Sequence, residues 1–420
     1  MPATVSARPP LLSRALGLYL LVAFGAMVSF YLLLSVVPLY ATSAGTNGIG
    51  AGLTTGALMF ATVAAELGTP ALLARFGYRL VLAAGMVLLG APALVLAVTS
   101  SLPAILAVSL VRGVGLAIAV VAGSSLVATL APRERRSEAL GLLGVVVGIP
   151  AVVALPLGVW LSERVGFPPV FVAGALAALV CLVVMPALPG RTAGSSPPLG
   201  VLAGLRAPAQ IRPAMAFLLT AMGAGIVVTF LPLATRGSGG LAAPALFANA
   251  TAATLARWGA GRYGGRHGQS GLLVLGVVAC AAGMLALAFG AGPAPVAAGA
   301  VLLGLGFGVA QNASLTLMFE RVSPSGYDMV SAVWNLAYDA GLGLGAAGFG
   351  VVAARGGYVG AFGITAALML AALAPVWRDR AWLVPAADDR RAAQIRTEGD
   401  HRRHRASSRP DRGSDRSGRE

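Results

Sequence analysis

The chain has 420 residues, of which 57% are hydrophobic and only 11% charged, and its mean hydropathy is +0.83. Soluble domains carry about one quarter charged residues, so this composition excludes an ordinary water-soluble protein. The formal net charge is +15, but every basic residue is arginine and the arginines lie in short gaps between apolar blocks, a pattern typical of membrane orientation signals and lipid headgroup contacts rather than of nucleic-acid binding.

The apolar residues form uncharged blocks of about twenty residues, the length that an α-helix needs to cross about 30 Å of hydrocarbon. These blocks predict an all-α membrane protein with twelve spans, at 15–40, 51–74, 79–99, 103–127, 139–162, 168–189, 213–235, 241–262, 271–291, 294–318, 327–354 and 358–377. The first block is too long for the core of a signal peptide and eleven more follow it, so we expect no cleavage.

Polar stretches divide the chain into five segments. We expect a cytoplasmic N-terminus at 1–14, an N-terminal six-helix bundle at 15–189, and a Pro/Gly/Ser-rich cytoplasmic linker at 190–212. A C-terminal six-helix bundle should follow at 213–377. Residues 378–420 are polar and highly charged, which predicts a disordered basic cytoplasmic tail.

The arginines predict the orientation of the spans. Most arginines outside the tail fall on the side of the membrane that holds both termini, and the other side holds only Arg164, Arg236 and Arg355. By the positive-inside rule both termini are then cytoplasmic, which is consistent with an even number of spans in a cell (plasma or inner) membrane.

The chain also contains an internal repeat. A shift of 191 residues places RFG at 75–77 on RHG at 266–268, GVGLA at 113–117 on GLGFG at 304–308, and GFPPVF at 166–171 on GYVGAF at 357–362. Glycine is abundant here, so each match alone is weak evidence. Their common register indicates a duplicated six-span unit and hence two pseudo-symmetric bundles.

Two loop sequences carry a family resemblance. Residues 70–79 read PALLARFGYR and resemble G-x-L-x-D-R-x-G-R-R, the loop signature that follows span two in the major facilitator superfamily. Pro70 replaces the leading glycine and Ala74 the acid, and the second copy at 261–268 (GRYGGRHG) has Gly265 in place of that acid. The resemblance covers residues 15–377 and implies two six-helix bundles that expose a central site to alternate sides.

Two motifs inside spans point to a subgroup of that superfamily. Residues 112–117 (RGVGLA) resemble its membrane motif R-x-x-x-G-x-A in shortened form. Residues 144–150 (GVVVGIP) are similar to the antiporter motif G-x-x-x-G-P-x-x-G-G of drug/proton exporters, with one additional residue and without the final glycines. The stretch 307–350 also resembles proton-coupled drug or sugar efflux proteins. The resemblance thus favours the twelve-span drug/proton antiporters.

Charged residues within the spans are the strongest indicators of a site, because charge in hydrocarbon is costly. Glu66, Arg112 and Asp339 lie well inside spans two, four and eleven and are the candidates for proton coupling. The estimated depth of Asp339 matches Arg112 better than that of Glu66 does. Either carboxylate could exchange a proton beside Arg112; alternatively, these charges form a structural ion pair.

Polar residues on the same spans suggest a substrate cavity. Periodic polar positions on spans two, ten and eleven define helix faces that avoid lipid. The candidate cavity residues are Thr62, Gln311, Asn312, Asn335 and Tyr338.

The loop signature implies a cytoplasmic latch between the two halves. Because Ala74 and Gly265 cannot supply the acid, we predict that Asp328 at the start of span eleven replaces it. The candidate latch residues are Arg75, Gly77, Arg79 and Asp328. Alternatively, Asp328 only caps its helix.

The sequence favours a transporter over an enzyme. We find no phosphate-binding loop, no ATPase module and no catalytic or metal-binding motif, and we expect no cofactor. The predicted function is secondary transport, with proton-coupled efflux of small amphipathic molecules favoured. The expected partners are a small-molecule substrate, protons and membrane lipid. We expect no nucleic-acid partner, and we expect the protein to be monomeric. Alternatives are proton-coupled uptake of a sugar or organic acid and, in another class, a membrane sensor or scaffold.

Overall fold

A computed structural model describes residues 13–132, 135–190, 201–289, 292–323, 326–371 and 373. The described residues are almost entirely helical and contain no strand, which confirms the all-α prediction. Their α-helices are α1 Arg14–Leu34, α2 Val36–Ser43, α3 Gly48–Phe76, α4 Tyr78–Val95, α5 Leu102–Leu130, α6 Arg136–Val165, α7 Phe167–Leu179, α8 Val201–Arg206, α9 Pro208–Ala234, α10 Ala242–His267, α11 Gln269–Ala288, α12 Pro293–Glu320 and α13 Tyr327–Ala371. A 3-10 helix, Val180–Ala187, continues α7.

Ten helical segments of the described chain are long and apolar enough to cross a membrane. Helix α10 is not among them, because polar residues such as Asn249, Thr251 and Arg257 dilute its apolar sequence. The last segment, Met329–Ala371, has 43 residues, and a helix of that length measures about 64 Å, twice the hydrocarbon thickness. It contains a non-helical residue at Gly357 and so comprises predicted spans eleven and twelve. The helices therefore agree with the twelve predicted spans.

Pairs of glycines at helix junctions confirm the internal repeat. Gly77 and Gly268 separate α3 from α4 and α10 from α11, with φ of 78° and 80°. Gly166 separates α6 from α7, and Gly357 interrupts α13, with φ of 81° and 70°. Only glycine adopts these angles without strain. The members of each pair are related by the 191-residue shift, so equivalent turns occur at equivalent points of both halves.

The glycines of the repeated GxG motif make equivalent contacts in the two halves. A Cβ atom on Gly113 would meet the carbonyl oxygen of Leu58, and one on Gly304 would meet that of Asn249. Leu58 and Asn249 are themselves related by the same shift. These glycines let α5 approach the backbone of α3, and α12 that of α10, without an intervening side chain.

The two halves meet mainly where α3 packs against α13 and α6 against α10. We call the side of the bundle that holds α8 the linker face, and the side where α3 and α10 begin the far face. Hydrogen bonds close the far face: Ser35 donates to the carbonyl of Val228, the hydroxyls of Thr55 and Thr229 lie 3.0 Å apart, and Arg236 donates to the carbonyl of Leu39 at 2.9 Å.

Candidate functional site

A pair of carboxyl groups joins the two halves within the membrane region. Glu66 of α3 and Asp339 of α13 lie close enough for their carboxyl groups to act on each other. Asp339 is buried, with 6% of its surface exposed. Two neighbouring ionised carboxylates repel each other, so this proximity favours a proton on one of the two groups.

Small residues bring these two acids together. A Cβ atom on Gly52 would meet the carbonyl oxygen of Ala346, and one on Gly343 would lie 2.8 Å from the Cβ of Met59. Such contacts let α3 and α13 run antiparallel at short distance. Moving from Gly52 toward the linker face along α3 leads to Glu66, while the same direction along α13 leads to Asp339.

Two tyrosines and an arginine adjoin the carboxyl pair. The hydroxyl groups of Tyr31 of α1 and Tyr338 of α13 lie close enough to act on each other across the two halves. Both lie close enough to Asp339 and to Arg257 of α10 for their charges to act on the hydroxyls. The centre of the molecule thus holds an acidic pair and a guanidinium, with two phenols close to both Asp339 and Arg257.

Arg257 has a polar neighbour on α12 and a glycine opposite it. Its Nη1 donates to Oε1 of Gln311 at 3.3 Å. A Cβ atom added to Gly144 of α6 would lie 3.8 Å from Nη2 of Arg257, so the guanidinium faces the N-terminal half. Of the five N–H donors of an arginine, this hydrogen bond uses one.

The internal repeat relates Arg257 directly to Glu66. The shift of 191 residues that superposes the two halves places Glu66 on Arg257, and it places Gly148 on Asp339. The helix pairs α3–α13 and α6–α10 are the corresponding contacts of the two halves. At the α3–α13 contact an acid therefore faces an acid, whereas at the equivalent α6–α10 contact an arginine faces glycines.

An aromatic cluster borders this polar centre in the C-terminal half. The rings of Phe217, Phe307, Trp334 and Tyr338 are nearly parallel, with Phe217 and Trp334 4.6 Å apart at an interplanar angle of 11°. The indole of Trp334 is fixed by a 3.0 Å hydrogen bond from Nε1 to Oγ of Ser314. Tyr338 belongs to both the cluster and the polar centre.

Arg112 lies apart from the carboxyl pair. It is 1% exposed, and Nε and Nη2 donate to the carbonyl oxygens of Leu89 and Ser29, each at 3.0 Å. These bonds tie α5 to α4 and α1 within the N-terminal half. The expectation that Arg112 neighbours a coupling carboxylate is therefore corrected: its hydrogen bonds in the described structure go to backbone carbonyls.

The predicted cavity residues separate into two groups. Thr62 is fully buried and donates to the carbonyls of Leu58 and Gly113, so it lies in the α3–α5 contact rather than against open space. Gln311 and Tyr338 belong to the central site. Asn312 and Asn335 are partly buried, and Oδ1 of Asn312 is a buried acceptor that receives no hydrogen bond from the described residues.

The predicted latch is described only in part. Arg75 lies over the ring of Phe76 at 5.2 Å, and Gly77 forms the turn between α3 and α4. Arg79 donates twice to the carbonyl of Leu188, at 3.1 and 2.8 Å, and so binds within its own half. The side chain of Asp328 lies outside the described residues.

Arg257 and Tyr31 are not among the site residues that the sequence predicts. Arg257 falls near the end of predicted span eight. The internal repeat was the signal that could have found it, since the shift established from the glycine motifs places it on Glu66. No comparable signal exists for Tyr31, whose counterpart in the second half is Met222.

Two pseudo-symmetric six-helix units that enclose a charged site between them define a secondary transporter. The chain belongs to the Major Facilitator Superfamily, whose model matches residues 19–346. The family prediction is thereby confirmed, while the comparisons do not assign the chain to the drug/proton antiporters.

Solved transporters share this fold at low sequence identity. The nucleoside transporter NupG is 15% identical, with a TM-score of 0.68, and the alignment covers 86% of this chain and 97% of NupG. A POT family transporter in complex with 5-aminolevulinic acid is 12% identical, with a TM-score of 0.70 and coverage of 87% and 95%. The xylose transporter XylE from E. coli is 14% identical, with a TM-score of 0.68 and coverage of 87% and 98%. No curated protein matches the sequence.

Proposed function

We propose that the chain is a proton-coupled transporter in which Glu66 and Asp339 together take up and release the proton. The observation that carries this proposal is the proximity of their carboxyl groups across the two halves. A buried acid pair is costly when both members are ionised, so its proton content depends on whether the halves are together or apart. Proton uptake would thereby be linked to the change of conformation.

Efflux of small amphipathic molecules is the direction that we propose. It is supported by the similarity of residues 144–150 to the antiporter motif, and these residues lie on α6 beside the central site. We place the linker face in the cytoplasm of the cell, with both termini on that side, because the arginines are concentrated there. The proposed active form is a monomer surrounded by lipid.

A proton symporter for an organic acid is the second candidate. It is favoured by Arg257, whose guanidinium faces glycine on α6. An anionic substrate would supply the opposite charge there.

Dye transport into everted membrane vesicles tests proton coupling. We expect wild-type protein to accumulate dyes of a chemically varied panel against a gradient, and an uncoupler to abolish this accumulation. Asp339→Asn and Glu66→Gln should each remove uphill transport while leaving the amount of folded protein unchanged. Glu163→Gln, the same kind of substitution at an exposed position of α6, is the matched control. Full uncoupler-sensitive accumulation by both site variants would refute the proposal.

A further inference from the structure

The two equivalent helix contacts between the halves differ in what they contain. On one side, Glu66 of α3 meets the carboxyl group of Asp339 on α13. On the other side, Arg257 of α10 faces α6, where the residue equivalent to Asp339 is Gly148. A Cβ atom added to Gly148 would meet no heavy atom within 4 Å, so this position opens onto free space. The space that a carboxyl group fills on one side is thus empty on the other.

We infer that Arg257 binds the carboxylate of an aromatic organic acid in the space between α6 and α10 that Gly144 and Gly148 leave open. This inference rests on the second candidate function, transport of an organic acid, and specifies its substrate class. An arginine inside a membrane protein is costly unless an acceptor or a counter-charge satisfies it. Arg257 has one hydrogen bond to the amide of Gln311. The planar fork of a guanidinium matches the two oxygens of a carboxylate.

The surroundings of Arg257 favour a single negative charge. Among the described side chains of the central site, Arg257 is the cation, and Asp339 of the carboxyl pair lies near the same two tyrosines, Tyr31 and Tyr338, as Arg257 does. A second negative charge on the ligand would add to the acidic pair without a second cation to balance it. A carboxylate meets this requirement better than a doubly charged phosphate does.

The aromatic cluster specifies the remainder of the ligand. Tyr338 contributes its hydroxyl to the polar centre and its ring to the cluster formed with Phe217, Phe307 and Trp334. Trp334 and Phe307 are partly exposed, so the cluster is not sealed within the C-terminal half. Flat apolar rings beside a guanidinium are suited to a planar aromatic acid, because ring pairs gain energy beyond simple burial.

Equilibrium binding to the purified full-length chain in lipid nanodiscs tests the inference, measured by titration calorimetry without any ion gradient. The probes are 2-naphthoate, its uncharged analogue 2-naphthamide, and cyclohexanecarboxylate, which keeps the charge without the aromatic ring. We expect 2-naphthoate to bind roughly tenfold to a hundredfold more tightly than 2-naphthamide. It should bind roughly threefold to tenfold more tightly than cyclohexanecarboxylate.

Two substitutions separate binding by Arg257 from general damage. Arg257→Gln should weaken 2-naphthoate roughly tenfold to a hundredfold and leave 2-naphthamide unchanged, whereas loss of structure would weaken both. Arg262→Gln is the matched control on the same helix, because Arg262 is exposed and stacks on Trp258 at 4.1 Å. Gly148→Asp should place an acid opposite Arg257, as Asp339 is placed opposite Glu66, and should abolish 2-naphthoate binding. Gly148→Ala should retain it.

Three results would overturn the inference: equal affinity for 2-naphthoate and 2-naphthamide, no binding of either by the wild-type chain, or unchanged 2-naphthoate binding by Gly148→Asp. This binding test is independent of the proposed proton coupling, because binding is measured without an ion gradient. Binding that follows the expected pattern in a protein whose transport is insensitive to uncoupler would refute the coupling alone.

Discussion

Replacing Arg112 by lysine should loosen the contact of α5 with α1 and α4. The guanidinium is 1% exposed and donates from two different nitrogens to the carbonyls of Ser29 and Leu89, each at 3.0 Å. Lysine carries a compact ammonium group without the planar fork, so we expect it to satisfy one of these two acceptors but not both.

The expected loss follows from one hydrogen bond to a charged group, which contributes about 1.5–3 kcal/mol. Arg112→Lys should therefore lower the free energy of unfolding by about that amount. The effect should be visible as a lower midpoint of thermal unfolding, measured by size-exclusion chromatography of a fluorescent fusion after heating.

The control is Arg164→Lys. Arg164 is exposed at the end of α6 and stacks on Trp160 at 5.3 Å, so this change should leave the midpoint where it is. The folded fraction of Arg112→Lys should still show uncoupler-sensitive transport. Unchanged stability together with lost proton coupling would refute the structural role of Arg112 and would indicate that Arg112 takes part in proton coupling.

Two further predictions concern contacts between the halves. Gly52→Leu should remove most transport, because a side chain there meets the carbonyl of Ala346 and overpacking costs about 1–3 kcal/mol. Gly68→Leu on the same helix should be tolerated, because a Cβ atom there meets no heavy atom within 4 Å. Equal activity of the two variants in the vesicle assay would contradict the close packing of α3 against α13. For the latch, Arg75→Asp and Asp328→Arg should each impair transport and together restore it, and additive losses would leave Asp328 as a helix cap.

The fold could be predicted well because its determinants are local or periodic. Blocks of apolar residues locate the membrane helices without any knowledge of tertiary contacts. The repeat was visible because glycine is required both at the helix junctions, such as Gly77 and Gly268, and at the backbone contacts of Gly113 and Gly304. Helix α10 is less apolar than the other predicted spans, because polar residues such as Asn249, Thr251 and Arg257 interrupt its sequence.

The site was predicted less completely because its geometry depends on how two helices cross. Depth estimates placed Asp339 nearer to Arg112, whereas the close approach of α3 and α13 pairs it with Glu66. The partners of Arg112 are backbone carbonyls, and every residue of a helix has one, so no sequence pattern identifies them. Arg257 became recognisable only when the equivalence of the two halves was applied to charges as well as to glycines.

The opposite charges at equivalent positions, Glu66 and Arg257, determine which combinations of protons and charged ligands bind to the central site. Glu66, Asp339 and Arg257 together are electrically neutral when the acidic pair holds one proton, and a net charge within the membrane is costly. A bound monovalent anion makes the net charge of the site −1, and a second proton on the acidic pair returns it to zero. By linkage, binding of the anion therefore raises the affinity for the proton, and binding of the proton raises the affinity for the anion. An acid and its proton would then cross in the same direction, whereas a cation would displace the proton and travel against it. The sign of this linkage, measurable as the pH dependence of ligand affinity, separates an importer of acids from an exporter of cations.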